Sequence, residues 1–259
     1  MSNSANPNRL DFSVEAIPYF VKSLIAGLSV LVYVPAAEQV TKLLQYVTSH
    51  LRFPDGTTVS YTAGADSLKQ PLLPLTILIW AQILLGIMIS NQIVELGLSL
   101  AFALAIGYVT FGLTRTIIAN LVTSTGSHLN FSGTMEEYLK WQLAFTACSV
   151  GPALLGFLLP QSGFLATLAA VGLALLPLVF IVFVMIAYSK WVASKISGGN
   201  RLASFEVEPV EMLAMFFGFI LFCIPIVTIP WAMAWYVKWL MGRYSLPPRS
   251  AMAADGYAV

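Results

Sequence analysis

The sequence predicts an all-α integral membrane protein, and three observations indicate this class. Hydrophobic residues make up 58% of the chain and charged residues only 10%, whereas soluble domains carry about 25% charged residues. The mean hydropathy is +0.81. Apolar runs of membrane-spanning length recur along the whole chain. Since a span needs about 20 apolar residues, we expect about six to seven transmembrane helices in a single membrane domain covering residues 1–259.

The charge balance and the cysteines argue against several other classes. A formal net charge of +1 argues against a nucleic-acid partner, because nucleic-acid binding requires a basic face. Cys148 and Cys223 lie inside apolar runs, so we interpret them as small core residues rather than as a disulfide or a metal pair. Residues 1–16 lack the basic-then-apolar order of a secretory signal, and we expect no cleaved leader.

The first span is predicted over residues 17–34 and ends at Pro35. Lys22 lies near its start, where a lysine side chain can reach the headgroups. Residues 38–48 interleave polar and apolar positions with the spacing of an amphipathic helix, which we place at the membrane interface.

A short β-hairpin outside the bilayer is predicted over residues 51–64. The turn signal Pro54-Asp55-Gly56 is followed there by a run rich in β-branched residues, and open strands cannot lie in lipid. Residues 203–207 are also strand-like, after a turn at Gly198-Gly199-Asn200. The other expected spans are residues 72–90, 96–113, 141–159 and 164–188, with very short turns at 91–95 and 160–163.

Residues 212–240 form an apolar stretch interrupted by Pro225 and Pro230. Its length suits one tilted span, but proline removes a backbone donor and disfavours a straight helix. We therefore predict two short helices that meet at residues 226–229, so that the C-terminus returns to the side of Lys190. The tail at 247–259 is expected to be disordered.

An internal repeat is predicted from two matching segments. Ser49-His50-Leu51 matches Ser127-His128-Leu129, and these segments contain the chain's 2 histidines. A second pattern places Tyr61, Phe131 and Phe205 shortly before an acidic-x-Leu sequence. The two patterns conflict, because the first aligns Phe53 with Phe131 and the second aligns Tyr61 with Phe131. We expect parallel repeats, each crossing the membrane twice, at about 17–90, 94–159 and 164–224, with a partial copy at 226–246.

Three short motifs lie at the ends of the expected spans and in the hairpin: Ile106-Gly107-Tyr108-Val109-Thr110-Phe111-Gly112, Thr228-Ile229-Pro230-Trp231, and Asp55-Gly56-Thr57 with Tyr61-Thr62-Ala63-Gly64. In these motifs the chain resembles the DUF898, or YjgN-like, family of bacterial multi-pass membrane proteins. Only the last copy has Pro-Trp, and the first has Pro-Ala. The resemblance implies a multi-pass architecture in a bacterial inner membrane. The family has no established activity, so no functional residue is carried over.

No cofactor is expected from the candidate ligands. His50 and His128 are possible metal ligands, but no Cys, Asp or Glu lies beside either one at the spacing of a metal site. Asp55 is close to His50, in a turn that favours Asp for backbone reasons. We therefore interpret both histidines as polar interfacial residues.

Two other sets of residues are candidate sites. Lys190, Trp191, Lys238 and Trp239 combine basic and aromatic side chains, which is typical of an interface with lipid headgroups. Gln82 and Gln142 are polar groups within spans, where they mark a polar pathway or form hydrogen bonds between helices.

The resulting hypothesis is a multi-pass inner-membrane protein without enzymatic activity, acting as a scaffold, accessory or assembly subunit. Its expected partners are the lipid bilayer, other membrane proteins or a second copy of itself. The alternative is a small transporter or channel with a polar path between repeats. Because short cytoplasmic loops are rich in Lys and Arg, we assign residues 36–70, 115–140, 189–210 and 236–259 to the cytoplasm. An odd number of spans then places the N-terminus outside, unless the first run enters the membrane and returns.

Overall fold

Helices dominate the computed structural model of the chain, which describes residues 9–53, 56–89, 91–156, 163–198 and 201–245. Of the described residues 72% are helical, and the strands form small sheets. The helices are α1 (Ala16–Val32), α2 (Ala36–Ser49), α3 (Asp66–Met88), α4 (Gln92–Ala119), α5 (Met135–Gly156), α6 (Phe164–Lys195), α7 (Pro209–Cys223) and α8 (Ile229–Met241). The turn signals at Pro54-Asp55, Pro160 to Ser162 and Gly199-Asn200, and the tail from 247, lie outside the described residues.

Short strands connect the helices in pairs. They are β1 (Asp11–Phe12), β2 (Leu51–Arg52), β3 (Val59–Tyr61), β4 (Leu121–Thr123), β5 (Leu129–Phe131), β6 (Ile196–Gly198), β7 (Arg201–Leu202), β8 (Ser204–Phe205) and β9 (Tyr244–Ser245). Two helices lie between the two strands of each pair and form a helical hairpin. The strand before the hairpin and the strand after it pair antiparallel, as β1 with β2, β3 with β4, β5 with β6, and β8 with β9. All the helical hairpins therefore start from one layer of strands.

The strand layer closes into a ring. Neighbouring strand pairs are joined where the chain turns from one pair to the next. The bridge from Arg52 to Thr58 joins β2 to the start of β3, the bridge from Val122 to His128 joins β4 to the start of β5, and β6 pairs with β7. The last gap is closed by a bridge between Arg9 and Ser245, at opposite ends of the described chain. With β7 and β8 taken as one strand interrupted at Ala203, the described residues form a ring of eight strands. A closed ring leaves no unpaired strand edge.

One hydrogen-bonding step recurs at the base of every helical hairpin. The aromatic residue that ends the outgoing strand pairs with the first residue of the returning strand: Phe12 with Leu51, Tyr61 with Leu121, Phe131 with Ile196, and Phe205 with Tyr244. The next N–H then donates to the carbonyl before the returning strand: Ser13 to His50, Thr62 to Asn120, Ser132 to Lys195, and Glu206 to Arg243, at 2.9–3.2 Å. The four aromatic side chains are all buried.

This register bears on the two repeat alignments, although the repeat itself stays a prediction. Tyr61 and Phe131 occupy the same place in their strand pairs, which agrees with the alignment through the aromatic residues. His50 precedes β2 at the end of a helix, whereas His128 precedes β5 in a strand turn. The match between the two Ser-His-Leu segments therefore joins positions that are not equivalent.

Among the described residues, three helices are long and apolar enough to cross a membrane: Asp66–Met88, Val94–Ala119 and Leu176–Lys195. The expected six to seven spans are not confirmed. Helices α1 and α7 are apolar but shorter, with 17 and 15 residues. At 1.5 Å per residue these helices reach about 25 Å and 22 Å, which is less than the roughly 30 Å of a hydrocarbon core.

The chain reverses direction after the first apolar run. Tyr33 adopts a φ of 63° before Pro35, and this left-handed turn reverses the chain. Helix α2 then packs back along α1, where the Lys22 Nζ lies 5.2 Å from the centre of the Tyr46 ring. Because β1 pairs with β2, the N-terminal strand belongs to the same layer as the other strands. The helix predicted at 38–48 is confirmed as α2, whereas its place at the membrane interface and an odd number of spans stay predictions.

The predicted break between the last helices is confirmed. Helix α7 ends at Cys223, a 3-10 turn spans Ile226–Thr228, and α8 begins at Ile229. The hydroxyl of Thr228 donates to the carbonyl of Pro225 at 2.7 Å, while Pro230 lies in the first turn of α8, where it needs no amide donor. Helix α8 returns, so that β9 pairs with β8.

Candidate functional site: the lumen of the strand ring

Side chains of the strands alternate between the inside and the outside of the ring, as the pleat of a β-strand requires. Around the first turn, Leu51, Phe53 and Val59 face the lumen, whereas Arg52 and Ser60 are exposed on the outer wall. Around this turn the inner wall is therefore apolar and the outer wall polar. Apolar residues at every second strand position produce this arrangement.

The lumen is a cavity of about 340 Å³ on the axis of the ring. Every strand pair contributes the same two positions to its wall. One position is the first residue of each returning strand, namely Leu51, Leu121, Ile196 and Tyr244. The other position lies two residues before each buried aromatic residue and is Leu10, Val59, Leu129 or Ala203. A closed ring of about eight strands has an interior just wide enough for side chains or one small ligand.

The two ends of the lumen differ in polarity. The helix end is lined by Leu44, Val47, Ile117, Val192 and Met241, and by Thr48, whose hydroxyl donates to the Gln45 carbonyl at 3.2 Å. The end formed by the strand turns carries the hydroxyl groups of Thr57, Thr125 and Ser127. Burial raises the pKa of Tyr244, and a hydrogen bond with Ser189 lowers it only in part, so this phenol in the wall is neutral at physiological pH.

Gly198 sets the width of the lumen on one side. A Cβ atom at this position would lie 2.3 Å from the Leu129 Cδ2 atom, in the neighbouring strand. The absence of a side chain at Gly198 thus lets Leu129 cover the β6 backbone. A larger residue requires Leu129 to move, because real Cβ atoms do not approach so closely.

Basic residues flank the turn end of the ring. Arg52 lies between the lumen residues Leu51 and Phe53, and Arg9 precedes Leu10 at its bridge to Ser245. Asp11 is exposed and faces Arg52 across the strand pair. Arg9 has no ion pair with a carboxylate in the described part of the chain.

Two ion pairs fasten helix starts to the ring. Lys195 Nζ lies 2.9 Å from Glu137 Oε1, and the side chains of Arg243 and Glu211 also form an ion pair. The hydrogen bond from Lys195, together with the Thr134 N–H, lowers the pKa of Glu137 to about 2. Burial lowers the pKa of Arg243, and the positive charge of Arg9 adds to this effect.

The predicted headgroup residues occupy two different environments. Trp191 packs against Phe131, Tyr138 and Tyr188, with ring centres 5.8–6.2 Å apart, so it belongs to an internal aromatic cluster. The neighbouring Lys190 is exposed. A role of these two residues at a headgroup interface stays a prediction.

The second basic and aromatic pair is divided in the same way. Trp239 donates its indole N–H to Glu211 Oε1 at 3.3 Å, and the Arg243 guanidinium lies 5.2 Å from its ring centre. Lys238 is exposed at the edge of an outer groove that also contains Trp231 and Trp235. A contact of Lys238 or Trp239 with lipid headgroups stays a prediction.

Gln82 and Gln142 lie in different helix interfaces. Gln82 lines a cavity of about 120 Å³ between α3 and α4, together with Glu95 and Ser99. Gln142 packs on Gly107 of α4, where a Cβ atom would lie 2.9 Å from the Gln142 Cγ atom. The structure therefore does not bring the two glutamines together in one pathway.

The histidines are also separate. His50 Nδ1 lies 2.8 Å from the carbonyl oxygen of Tyr46, and the centres of the two rings lie 4.4 Å apart with the rings tilted by 45°. His128 is exposed in the turn between β4 and β5. Across the described ranges, no group of three His, Cys, Asp or Glu side chains is placed to hold a metal ion.

Sequence reasoning missed the lumen and both ion pairs. The alternation around Val59 and the strand-like residues near Ala203 were visible signals for short strands. The acidic residue six positions after Phe131 and after Phe205 was a further signal, because each one meets a basic residue directly before a returning strand. Compared with known proteins, the chain matches no family model, no curated protein and no solved structure.

Proposed function

We propose that this is a multi-pass membrane protein without enzymatic activity, an accessory subunit that binds an apolar lipid-like ligand in the lumen of its strand ring. The observation that carries the proposal is the apolar wall that all four strand pairs contribute to one cavity. Apolar cavities of this kind stay dry and bind apolar molecules. A volume of about 340 Å³ lies within the usual range for small-molecule sites, about 300 to 1,000 Å³.

The chemistry of the lumen supports binding rather than catalysis. Among the described lining residues the polar groups are hydroxyls, and none of these residues is a carboxylate, thiol, imidazole or amine. A hydroxyl nucleophile requires a neighbouring base to be activated, and a general base has to lie within hydrogen-bond reach. The lumen therefore offers contact area without the groups needed for proton transfer.

The helices support a role at a membrane. Three of them are long and apolar enough to cross a bilayer, and the hairpins leave the strand layer on one side. The proposal places the ring at the cytoplasmic face of a bacterial inner membrane, because Arg52, Lys69, Lys140 and Lys195 lie near the ring and short cytoplasmic loops are rich in such residues. The proposed relationship to the DUF898 family implies the same location, a bacterial inner membrane.

The recurring strand step supports internal repetition. The same register and the same buried aromatic position occur at Phe12, Tyr61, Phe131 and Phe205. Strand pairing favours units of about 11–52, 59–123, 129–198 and 204–245. These boundaries differ from the repeat boundaries expected from the sequence. In these units the last copy is complete, and the units surround a common axis through the lumen.

A lumen-filling variant with a matched control tests the proposal. The full chain is placed in lipid nanodiscs with a photoreactive long-chain alcohol, and the labelled residues are mapped by mass spectrometry. We expect labelling at Val47, Ile117 and Val192. Val59→Trp should abolish it, because Val59 points into the lumen, whereas Ser60→Trp should not, because Ser60 is exposed outside. Equal labelling in both folded variants would refute the proposal.

A further inference from the structure

We infer that the lumen takes a single-chain lipid with an uncharged hydroxyl headgroup, bound with its chain toward the helices and its hydroxyl group beside Ser127. This inference deepens the proposed function and rests on it. The shared chemistry is one hydrocarbon chain that carries a neutral hydroxyl group at its end. A long-chain alcohol and a monoacylglycerol both have this chemistry.

The described wall of the lumen carries no charge, which favours a neutral ligand. None of the described residues that line it is Lys, Arg, His, Asp or Glu. Arg52, between the lumen residues Leu51 and Phe53, is exposed on the outer wall. The pleat turns Arg9 outward in the same way, because its neighbour Leu10 lines the lumen. An ionised headgroup inside the lumen would therefore lose its hydration without meeting a charge of opposite sign.

Several hydroxyl groups of the lumen already have partners within the protein. Thr48 donates to the carbonyl of Gln45 at 3.2 Å, and Thr123 donates to a carbonyl of its own turn at 3.1 Å. The hydroxyl oxygens of Ser245 and Ser204 lie 2.7 Å apart. Because these groups satisfy one another, the lumen next to them suits a hydrocarbon chain, which gains free energy by leaving water.

The side chain of Ser127 is different, because its hydroxyl group is available to a ligand. Ser127 lies two residues before the lumen residue Leu129, so the strand pleat turns both side chains to the same face. The backbone of Ser127 bonds to Thr123 through its N–H and its carbonyl. Its side-chain hydroxyl forms no hydrogen bond within the described part of the chain. Since a hydroxyl both donates and accepts, Ser127 can bind the hydroxyl group of a neutral headgroup.

The polarity of the lumen sets the direction of the ligand. The turn between β4 and β5 places the hydroxyl residues Thr123, Thr125 and Ser127 on the wall. The positions equivalent to Thr123 in β2 and β6, two residues into or past the returning strand, are Phe53 and Gly198. The polar part of the wall is thus concentrated at one turn. At the helix end, a hydroxyl headgroup would be buried among apolar side chains without a partner.

The size of the lumen limits the ligand to one chain. The cavity of about 340 Å³ lies near the lower end of the range for small-molecule sites, about 300 to 1,000 Å³. On one side Leu129 lies directly against Gly198, where a Cβ atom would be 2.3 Å from the Leu129 Cδ2 atom. The described strands form a closed ring, so a second chain finds no open edge through which to leave the lumen.

The test compares photoreactive probes of equal chain length on the full chain in nanodiscs. The probes are a long-chain alcohol, a monoacylglycerol, an alkyl sulfonate that stays ionised, a hydrocarbon without a headgroup and a two-chain diacylglycerol, each with a diazirine in the chain. We expect the alcohol, the monoacylglycerol or both to label Val47 and Ile117 about fivefold more than the hydrocarbon, as one net hydrogen bond predicts. The sulfonate should label these residues about tenfold less than the better hydroxyl probe. Whichever hydroxyl probe labels more strongly identifies the source of the headgroup.

Variants of Ser127 locate the headgroup. Ser127→Ala should reduce labelling by the hydroxyl probe to the level of the hydrocarbon, and Ser127→Thr, which keeps a hydroxyl group, should retain most of it. Ser60→Ala makes the same chemical change on the exposed outer wall and should leave labelling unchanged.

The outcomes separate the inference from the proposed function. If the hydroxyl probe labels the lumen no better than the hydrocarbon or the sulfonate, or if Ser127→Ala has no effect, the headgroup inference is overturned and the proposed function stays intact. Strong lumen labelling by the diacylglycerol would overturn the single-chain inference. If no probe labels the lumen, both the inference and the proposed function fail.

Discussion

Lys195 Nζ lies 2.9 Å from Glu137 Oε1 and ties the last residue of α6 to the first turn of α5. The same place in the next unit holds Arg243 and Glu211. In both cases the cation directly precedes a returning strand and the acid follows the buried aromatic by six positions. These pairs fix the helix starts to the strand ring at two of its four steps.

The Glu137 pair should make stability depend on acid pH. The pKa of Glu137 is lowered to about 2 from 4.5, so its folded state favours the charged form. The stabilisation is therefore complete above pH 4.5 and is lost as the pH falls from 4.5 through 2. We expect Glu137→Gln to lower the Tm at pH 7 and the difference from the parent protein to shrink below pH 4.5, measured by thermal unfolding in detergent.

Glu136→Gln is the control for this prediction. Glu136 pairs with Lys140 on an exposed helix face, where ion pairs contribute little. Its Tm at pH 7 should stay close to that of the parent. An equal loss in both variants would show that the Lys195 contact is not the source of the stabilisation.

The contact between Gly198 and Leu129 predicts that substitutions at the two positions have non-additive effects on the free energy of unfolding. Gly198→Ala places a Cβ atom 2.3 Å from Leu129 Cδ2, and overpacking of this kind costs about 1–3 kcal/mol. Combining it with Leu129→Ala should cost less than the sum of the two single changes, as measured by chemical unfolding. Gly86→Ala serves as a control, since nothing lies within 4 Å of a Cβ atom there. Strictly additive effects would contradict the contact.

The N-terminal strand should be an essential part of the core. Phe12 is only 1% exposed, and truncating a buried Phe to Ala costs about 3–5 kcal/mol. Phe12→Ala should therefore lower the free energy of unfolding by an amount of this order, whereas Ser13→Ala on the exposed neighbour should change it by less than about 0.5 kcal/mol. Similar values for the two variants would show that β1 is dispensable.

The bridge between Arg9 and Ser245 predicts a tolerated circular permutation. We expect a chain in which a short Gly/Ser linker joins Ser245 to Arg9, and which opens between Thr125 and Gly126, to fold with nearly the parent Tm. The new ends lie in an exposed turn, where such openings are tolerated. A permutant opened within β3, between Ser60 and Tyr61, should fail to give a monodisperse peak in size-exclusion chromatography. Failure of the first permutant and success of the second would contradict the closed ring.

The strand ring and the turn at 160–163 should lie on opposite sides of the membrane. A cysteine at Ser162, outside the described residues, should react with an impermeant reagent in intact cells, and a cysteine at Ser197 in β6 should not. Because β1 belongs to the ring, a cysteine at the exposed Ser13 should behave like the one at Ser197. The reverse pattern would invert the assignment of sides, and a difference between Ser13 and Ser197 would contradict the placement of β1.

The sequence by itself determined the features that depend on local chemistry. Its apolar composition indicates a membrane protein, Pro225 and Pro230 specify the break before α8, and the β-branched residues around Val59 specify a strand. Each of these follows from backbone restriction or side-chain shape within a few residues. The conflict between the two repeat alignments was also visible, and the local match at His50 and His128 joins positions that differ in secondary structure.

Only the tertiary structure decided how these pieces close on themselves. The bridge between Arg9 and Ser245, the return of the first apolar run along α2 and the pairs formed by Lys195 and Arg243 all join residues distant in sequence. No local preference marks such partners, because a strand residue shows the same pattern whichever strand it meets. The lumen exists for the same reason: Leu10, Val59, Leu129 and Ala203 lie in or beside short strands, and only ring closure brings them to one cavity.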